Sequence, residues 1–115
     1  MTVLIVDDHA AFRTLARAVL EADGYEVVGE APDGSAGLSA VRELNPDVVL
    51  LDVRLPDMDG FEVATELTSD GGGPAVVVTS SSEDPLYADR AHSSGALGFI
   101  AKHDVSGAAL DRLLG

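Results

Sequence analysis

The 115-residue chain contains no cysteine. It therefore has neither a disulfide framework nor a thiol nucleophile, and it suits a reducing compartment. Positive charge is scarce as well: seven basic residues stand against twenty acidic ones, for a net charge of −13. A surface that acidic repels nucleic-acid phosphates and anionic membranes at long range, so direct nucleic-acid binding by this chain alone is not expected. No apolar run approaches the roughly 20 residues that a membrane helix requires. The opening MTVLIVDDHA has no basic segment and no small-residue cleavage site, so no signal peptide is read and a cytoplasmic location is expected. The basic set is itself lopsided, with six arginines and a single lysine, Lys102. That one exception asks what its position needs.

What is present is ordinary in bulk, with 46% hydrophobic and 23% charged residues. The length suits one domain, residues 1–115, with a single core. Short β-branched runs alternate five times with longer amphipathic ones. Strands are predicted at Thr2–Val6, Tyr25–Glu30, Asp47–Leu51, Ala75–Val78 and Leu97–Ala101. Three of them (VLIV, VVLL, AVVV) are continuous apolar runs, the pattern of parallel strands covered on both faces.

Between the strands, Phe12, Leu15, Ala16, Val19 and Leu20 lay an apolar stripe along a first helix, with Gly24 as its C-terminal cap. Leu38, Val41 and Leu44 mark a second helix, stopped at Asn45–Pro46. Phe61, Ala64 and Leu67 mark a third, and a fourth, weaker pattern lies near Asp84–Ser94. The fifth runs from about Asp104 to Leu114 on Val105, Ala109 and Leu113. Alternating β and α elements imply a doubly wound parallel sheet with helices on both faces. Five strands in this length suit the flavodoxin-like order 2-1-3-4-5.

In such a sheet the functional crevice lies beyond the carboxyl ends of the strands, where the strand order reverses. The first strand ends at Asp7 and Asp8, the third at Asp52, the fourth at Thr79 and the fifth at Lys102. Strands end where polarity begins, so each position alone reads as loop surface. Together they bring carboxylates to adjacent strands and the one lysine across from them. Three carboxylates in one crevice stay ionised only if cations offset them; otherwise at least one pKa rises. Lys102 offsets one charge, and a divalent cation would offset the rest. All-oxygen ligands with room for water and phosphate are Mg²⁺ chemistry; zinc would want more nitrogen or sulfur than His9 provides. An Asp nucleophile, Mg²⁺, a lysine and a threonine hydroxyl suit phosphoryl transfer, with Asp52 attacking phosphorus in line.

The motifs LIVDDH, VVLLDVRLPDMDG, VVVTS and GALGFIAK follow in this order. With them the whole chain resembles the receiver domain of bacterial two-component response regulators. The stretches DDHAAFR and VVGEAPDG are most similar to the NarL/LuxR-type branch, whose receivers usually precede a helix-turn-helix output domain. The resemblance implies that Asp52 is the phosphoacceptor, supplied by a histidine kinase or a phosphotransfer protein. It implies that Asp7, Asp8, Asp52 and the backbone carbonyl of Arg54 bind Mg²⁺, that Lys102 pairs with Asp52, and that Thr79 and Phe99 form the switch. The face of the fourth helix, fifth strand and fifth helix would then control an output protein or domain, with a phosphorylation-dependent homodimer left open. A stand-alone receiver and one isolated from a longer regulator are both compatible with the sequence, and the ending LLG reads as the end of a domain.

Three positions depart from the family's commonest pattern. His103 stands where many receivers carry proline, Phe99 replaces a frequent tyrosine, and Ser80–Ser82 is rich in hydroxyls. Rival readings remain at this stage. A phosphohydrolase with an Asp nucleophile would need an acid two residues after it, where Arg54 stands. A nucleotide- or flavin-binding module would need glycines after the first strand, where DDHAA stands. A pseudo-receiver would be a scaffold that works without phosphorylation.

Overall fold

The computed structural model describes residues 1–115. The elements run β1 (Thr2–Val6), α1 (Ala10–Ala22), β2 (Glu26–Ala31), α2 (Gly34–Leu44), β3 (Val48–Asp52), α3 (Gly60–Thr68), β4 (Ala75–Ser80), α4 (Tyr87–Ser93), β5 (Gly98–Ala101) and α5 (Gly107–Leu114). A 3₁₀ turn, Lys102–Asp104, lies between β5 and α5. The five strands are parallel, in the order β2-β1-β3-β4-β5. No helix is long and apolar enough to cross a membrane.

The continuous apolar runs split by strand period into two cores. Leu4, Val6, Val49, Leu51, Val76 and Val78 face α2, α3 and α4, whose Val63, Ala64 and Ala91 are fully buried. Val3, Ile5, Val48, Leu50 and Val77 face the other way, onto Leu20 of α1 and Leu110 of α5. One strand thus feeds both cores by alternate residues, and its two ends are left as the only places for polar groups.

The element boundaries are local chemistry. The chain turns after α1 through Gly24, at φ +96°. The left-handed Asn45 closes α2, and Pro46 follows it. Asp33, Asp59 and Ser106 cap α2, α3 and α5 through side-chain acceptors. The α5 cap corrects the expected start at Asp104. Lys102–Asp104 winds as a 3₁₀ turn, Val105 is extended, and α5 begins only after Ser106 accepts from the Ala109 N–H. Val105 still packs on the core under α1 and α5, from outside the helix. The fourth helix is also shorter than its pattern, since Asp84–Leu86 precede it and Leu86 is exposed.

Two strands run further than expected. β3 includes Asp52 and β4 includes Thr79 and Ser80, because the ladder continues through the pairs Asp52↔Thr79 and Ser80↔Ala101. These polar residues are therefore held in the sheet itself. β2 lies one residue later than expected and β5 begins at Gly98, one residue later than Leu97.

Candidate functional site

Asp7 follows β1, Asp52 ends β3, Thr79 lies in β4 and Lys102 follows β5, so the sheet brings four predicted residues to one edge. Asp7 is fully buried and Asp52 is 4% exposed. Lys102 Nζ stands 2.7 Å from Asp7 Oδ2 and 3.3 Å from Asp52 Oδ2. The hydrogen bond goes to Asp52; the contact to Asp7 is an ion pair without hydrogen-bond alignment. The ammonium also lies 4.8 Å from the centre of the Phe12 ring, which roofs it from α1.

The remaining acceptors are partly taken. Asp7 Oδ1 receives the His9 N–H at 2.8 Å, and the Arg54 N–H reaches Asp52 Oδ1 at 3.3 Å. Asp8 sits at the mouth, its side chain half-exposed. His9 is exposed, yet its Nδ1 lies 3.2 Å from Asp7 and 3.0 Å from Asp8. Burial, and then the charge of Asp7, raise the Asp52 carboxyl above its usual range, although Lys102 and the Arg54 N–H oppose them. The Asp7 contribution, second to burial, is the one that charge counting anticipates.

Ligand atoms of Asp7, Asp8, His9 and Asp52 all lie within 4.8 Å of one another. The oxygen donors, the buried Asp7 Oδ2 without an aligned donor and the uncompensated charge fit a hard divalent cation. Beside them the Thr79 hydroxyl is buried with no hydrogen-bond partner. Thr79 is the in-register neighbour of Asp52, and such neighbours point to the same face of a sheet. The edge therefore offers a buried carboxylate, the Lys102 ammonium and a hydroxyl with no partner.

Phe99 lies outside this pocket. It is half-buried, its ring centre 5.5 Å from that of Tyr87, which in turn lies 5.9 Å from Phe61. It lines a groove of about 780 Å³ between α4 and α5, with Ala88 and Ala109. The Lys102–His103 peptide is trans, as are all others.

Sequence reasoning missed several residues. Arg13 reaches the Asp7 carbonyl at 2.7 Å, Phe12 covers Lys102, and Gly60 lets α3 approach Asp52. Asp57 accepts the N–H groups of Gly34 and Ser35, tying the loop after β3 to the start of α2. Phe12 was read only as core stripe. The cue for Arg13 was its place one residue further, in the helix turn nearest the acidic pair.

An open parallel sheet in this order, with an acidic pocket and a lysine at the crossover edge, defines a doubly wound α/β domain with its site at the carboxyl ends of the strands. Residues 3–112 match the response regulator receiver domain, and the chain belongs to that family. Receiver domains of this family are phosphorylation-dependent switches of two-component signalling. The chain is 42% identical over 102 residues to the regulator BvgA of Bordetella pertussis, covering 89% of this chain and 49% of that one. It is 38% identical over 100 residues to the transcriptional regulatory protein PdtaR of Mycobacterium tuberculosis, covering 87% and 48%. It thus spans about half the length of the curated relatives it matches. Among solved structures, the receiver domain of NarL from Mycobacterium tuberculosis superimposes with a TM-score of 0.87 at 37% identity, covering 99% of this chain and 96% of that one. The beryllofluoride-activated receiver domain of RstA from Klebsiella pneumoniae gives 0.85 at 27% identity, with the same coverage.

Proposed function

We propose that residues 1–115 form one receiver domain in which Asp52 is the phosphoacceptor. The observation that carries this is the contact of Lys102 with Asp52, a buried carboxylate raised in pKa, beside a Thr79 hydroxyl that has no partner. An Asp52 oxygen attacks the phosphorus of a phosphohistidine on a histidine kinase or phosphotransfer protein. The new P–O bond forms as the P–N bond breaks, and the electron pair leaves with the imidazole. Lys102 and Thr79 then bind phosphoryl oxygens, which are strong acceptors for charge-assisted hydrogen bonds.

Mg²⁺ is the cation the pocket suits, and Asp7, Asp8, Asp52 and the Arg54 carbonyl would hold it. When bound, it neutralises charge on the transferring phosphoryl group. Asp8 has the accessible carboxylate for direct ligation, while Asp7 is buried against Lys102. No acid stands two residues beyond Asp52 to activate water, which suits a persistent acyl phosphate rather than turnover. The chain's own part in both the gain and the slow loss of the phosphoryl group is this set of residues.

The output is read through α4, β5 and α5. Thr79 sits on β4 next to Ile100 of β5, and Phe99 is one residue away, packed on Tyr87 of α4. A shift of Thr79 toward a phosphoryl group would disturb this packing and the groove behind it. An output protein or domain, or a second copy of the chain, would bind there, in the cytoplasm. A change in population from 1:99 to 99:1 requires about 5.5 kcal/mol of differential stabilisation.

Intact mass after incubation with acetyl phosphate, with and without Mg²⁺, tests the reading. One phosphoryl group should be gained by the wild type with Mg²⁺ and none by Asp52→Asn. Failure of the wild type to gain it, together with failure to form a beryllofluoride complex, would leave a phosphorylation-independent scaffold.

A further inference from the structure

Asp7 leaves the sheet at the end of β1. Its N–H donates to the Ala31 carbonyl at 2.9 Å, which keeps it beside β2. Its own carbonyl receives no backbone donor; Arg13 Nη1 reaches it from α1 at 2.7 Å. That carbonyl belongs to the Asp7–Asp8 peptide, and the peptide is planar. Holding its oxygen fixes the rotation of the whole plane, and so the direction in which Asp8 departs.

The guanidinium is itself braced. Its Nε donates to Glu30 Oε1 at 3.1 Å, and the other Glu30 oxygen accepts from Arg17 Nε at 2.8 Å. Arg17 Nη1 donates in turn to the Val27 carbonyl at 3.1 Å. Arg17 and then Arg13 hold the Glu30 carboxyl below its usual range, against partial burial. Both arginines come from α1 and Glu30 from β2, so the group is anchored on two rigid elements. Arg13 is also largely covered, with its side chain 18% exposed.

We infer that Arg13 is a positioning residue for the acidic pocket. By bridging Glu30 and the Asp7 carbonyl, it sets the angle at which the Asp8 carboxylate faces Asp7 and Asp52, and hence the pocket's affinity for a divalent cation. This rests on the reading of that pocket as a cation site. Charge alone argues for the opposite sign, because removing a cation beside three carboxylates tightens the binding of another. Loss of a partner that orients metal ligands weakens binding, by about tenfold or more. The sign of the change therefore separates positioning from simple electrostatics.

The experiment is calorimetric titration of the full chain with Mg²⁺ alone, for wild type, Arg13→Met, Arg13→Lys and Arg17→Met, with a thermal melt of each. Arg13→Met should bind about tenfold more weakly, and Arg13→Lys, which keeps one donor, should recover part of the loss. Arg17→Met loses the same charge without touching Asp7, and should bind as tightly as wild type or more tightly. The Mg²⁺-induced shift of the Asp8 amide in ¹H–¹⁵N spectra should shrink in Arg13→Met, less in Arg13→Lys, and not in Arg17→Met. Equal or tighter binding by a folded Arg13→Met overturns the inference while leaving the cation site intact. If Arg13→Met does not fold, Arg13→Lys decides: unchanged affinity there overturns it as well. Absence of Mg²⁺ binding by the wild type would remove the cation site itself, and this inference with it.

Discussion

Asp52 and Thr79 are in-register neighbours on β3 and β4, yet the buried Thr79 hydroxyl makes no hydrogen bond to the carboxylate or to anything else. A buried hydroxyl without a partner costs about 1–3 kcal/mol. On the proposed function, a phosphoryl group on Asp52 would give it a partner.

Thr79→Val should therefore stabilise the unphosphorylated chain, by about 1 kcal/mol, in urea denaturation. The same variant should lose most of the rise in melting temperature that acetyl phosphate and Mg²⁺ give the wild type. If the valine variant is instead less stable, the hydroxyl has a partner in solution and its idleness is not stored for a phosphoryl group.

The pH dependence of Asp52 follows from its surroundings. Burial, then Asp7, raise its carboxyl on folding. A raised carboxyl binds its proton more tightly folded than unfolded. Its ionisation therefore costs stability progressively as pH rises from the unfolded pKa to the folded one, costs its full amount above that, and costs nothing below both. Asp52→Asn removes that cost and should be more stable at pH 7 by about 1 kcal/mol. The gain should shrink as pH falls through the ordinary carboxylate range. A gain independent of pH between 3 and 7, on the order of the carboxylate range, would assign it to something other than ionisation.

Lys102, the sole lysine, places a compact ammonium between two buried carboxylates, 2.7 and 3.3 Å away. Lys102→Met leaves both uncompensated. Breaking a buried pair in this way costs about 3 kcal/mol, and Mg²⁺ should return part of it. Melting with and without millimolar Mg²⁺ checks this; equal destabilisation in both would mean that the pocket takes no cation in place of the lysine.

The sheet was legible because its strands bury both faces, which leaves long apolar runs and only one class of fold to place them in. Val3 and Leu4 go to different cores, yet both read as strand. The expected gathering of Asp7, Asp52, Thr79 and Lys102 is also found, because polar residues at strand ends share one edge by topology alone. Boundaries were less legible. The ladder runs on through Asp52 and Ser80 by pairing with neighbouring strands, and no local pattern encodes that. Val105 fitted a helical spacing, but the Ser106 cap outweighed it. The brace at Arg13 was hidden for the same reason: its partners, Asp7 and Glu30, are 6 and 17 residues away.

Gly60 shows how tightly Asp52 is set. Its N–H donates to the Val53 carbonyl at 2.7 Å as α3 begins against the end of β3. A Cβ at this position would run into the carbonyl oxygen of Asp52 and lie 2.8 Å from Val53 Cα. Both neighbours are backbone, so neither can swing away, and α3 or the end of β3 must shift. Gly60→Ala should cost about 2 kcal/mol as overpacking, read by urea denaturation. It should also slow phosphorylation by acetyl phosphate, because the Asp52 backbone moves relative to Lys102. Gly72→Ala is the control, since nothing lies within 4 Å of a Cβ there, and it should change neither quantity. A Gly60→Ala chain with full stability but slow phosphorylation would localise the shift to Asp52; full stability and full rate would mean that α3 yields and Asp52 does not depend on this contact.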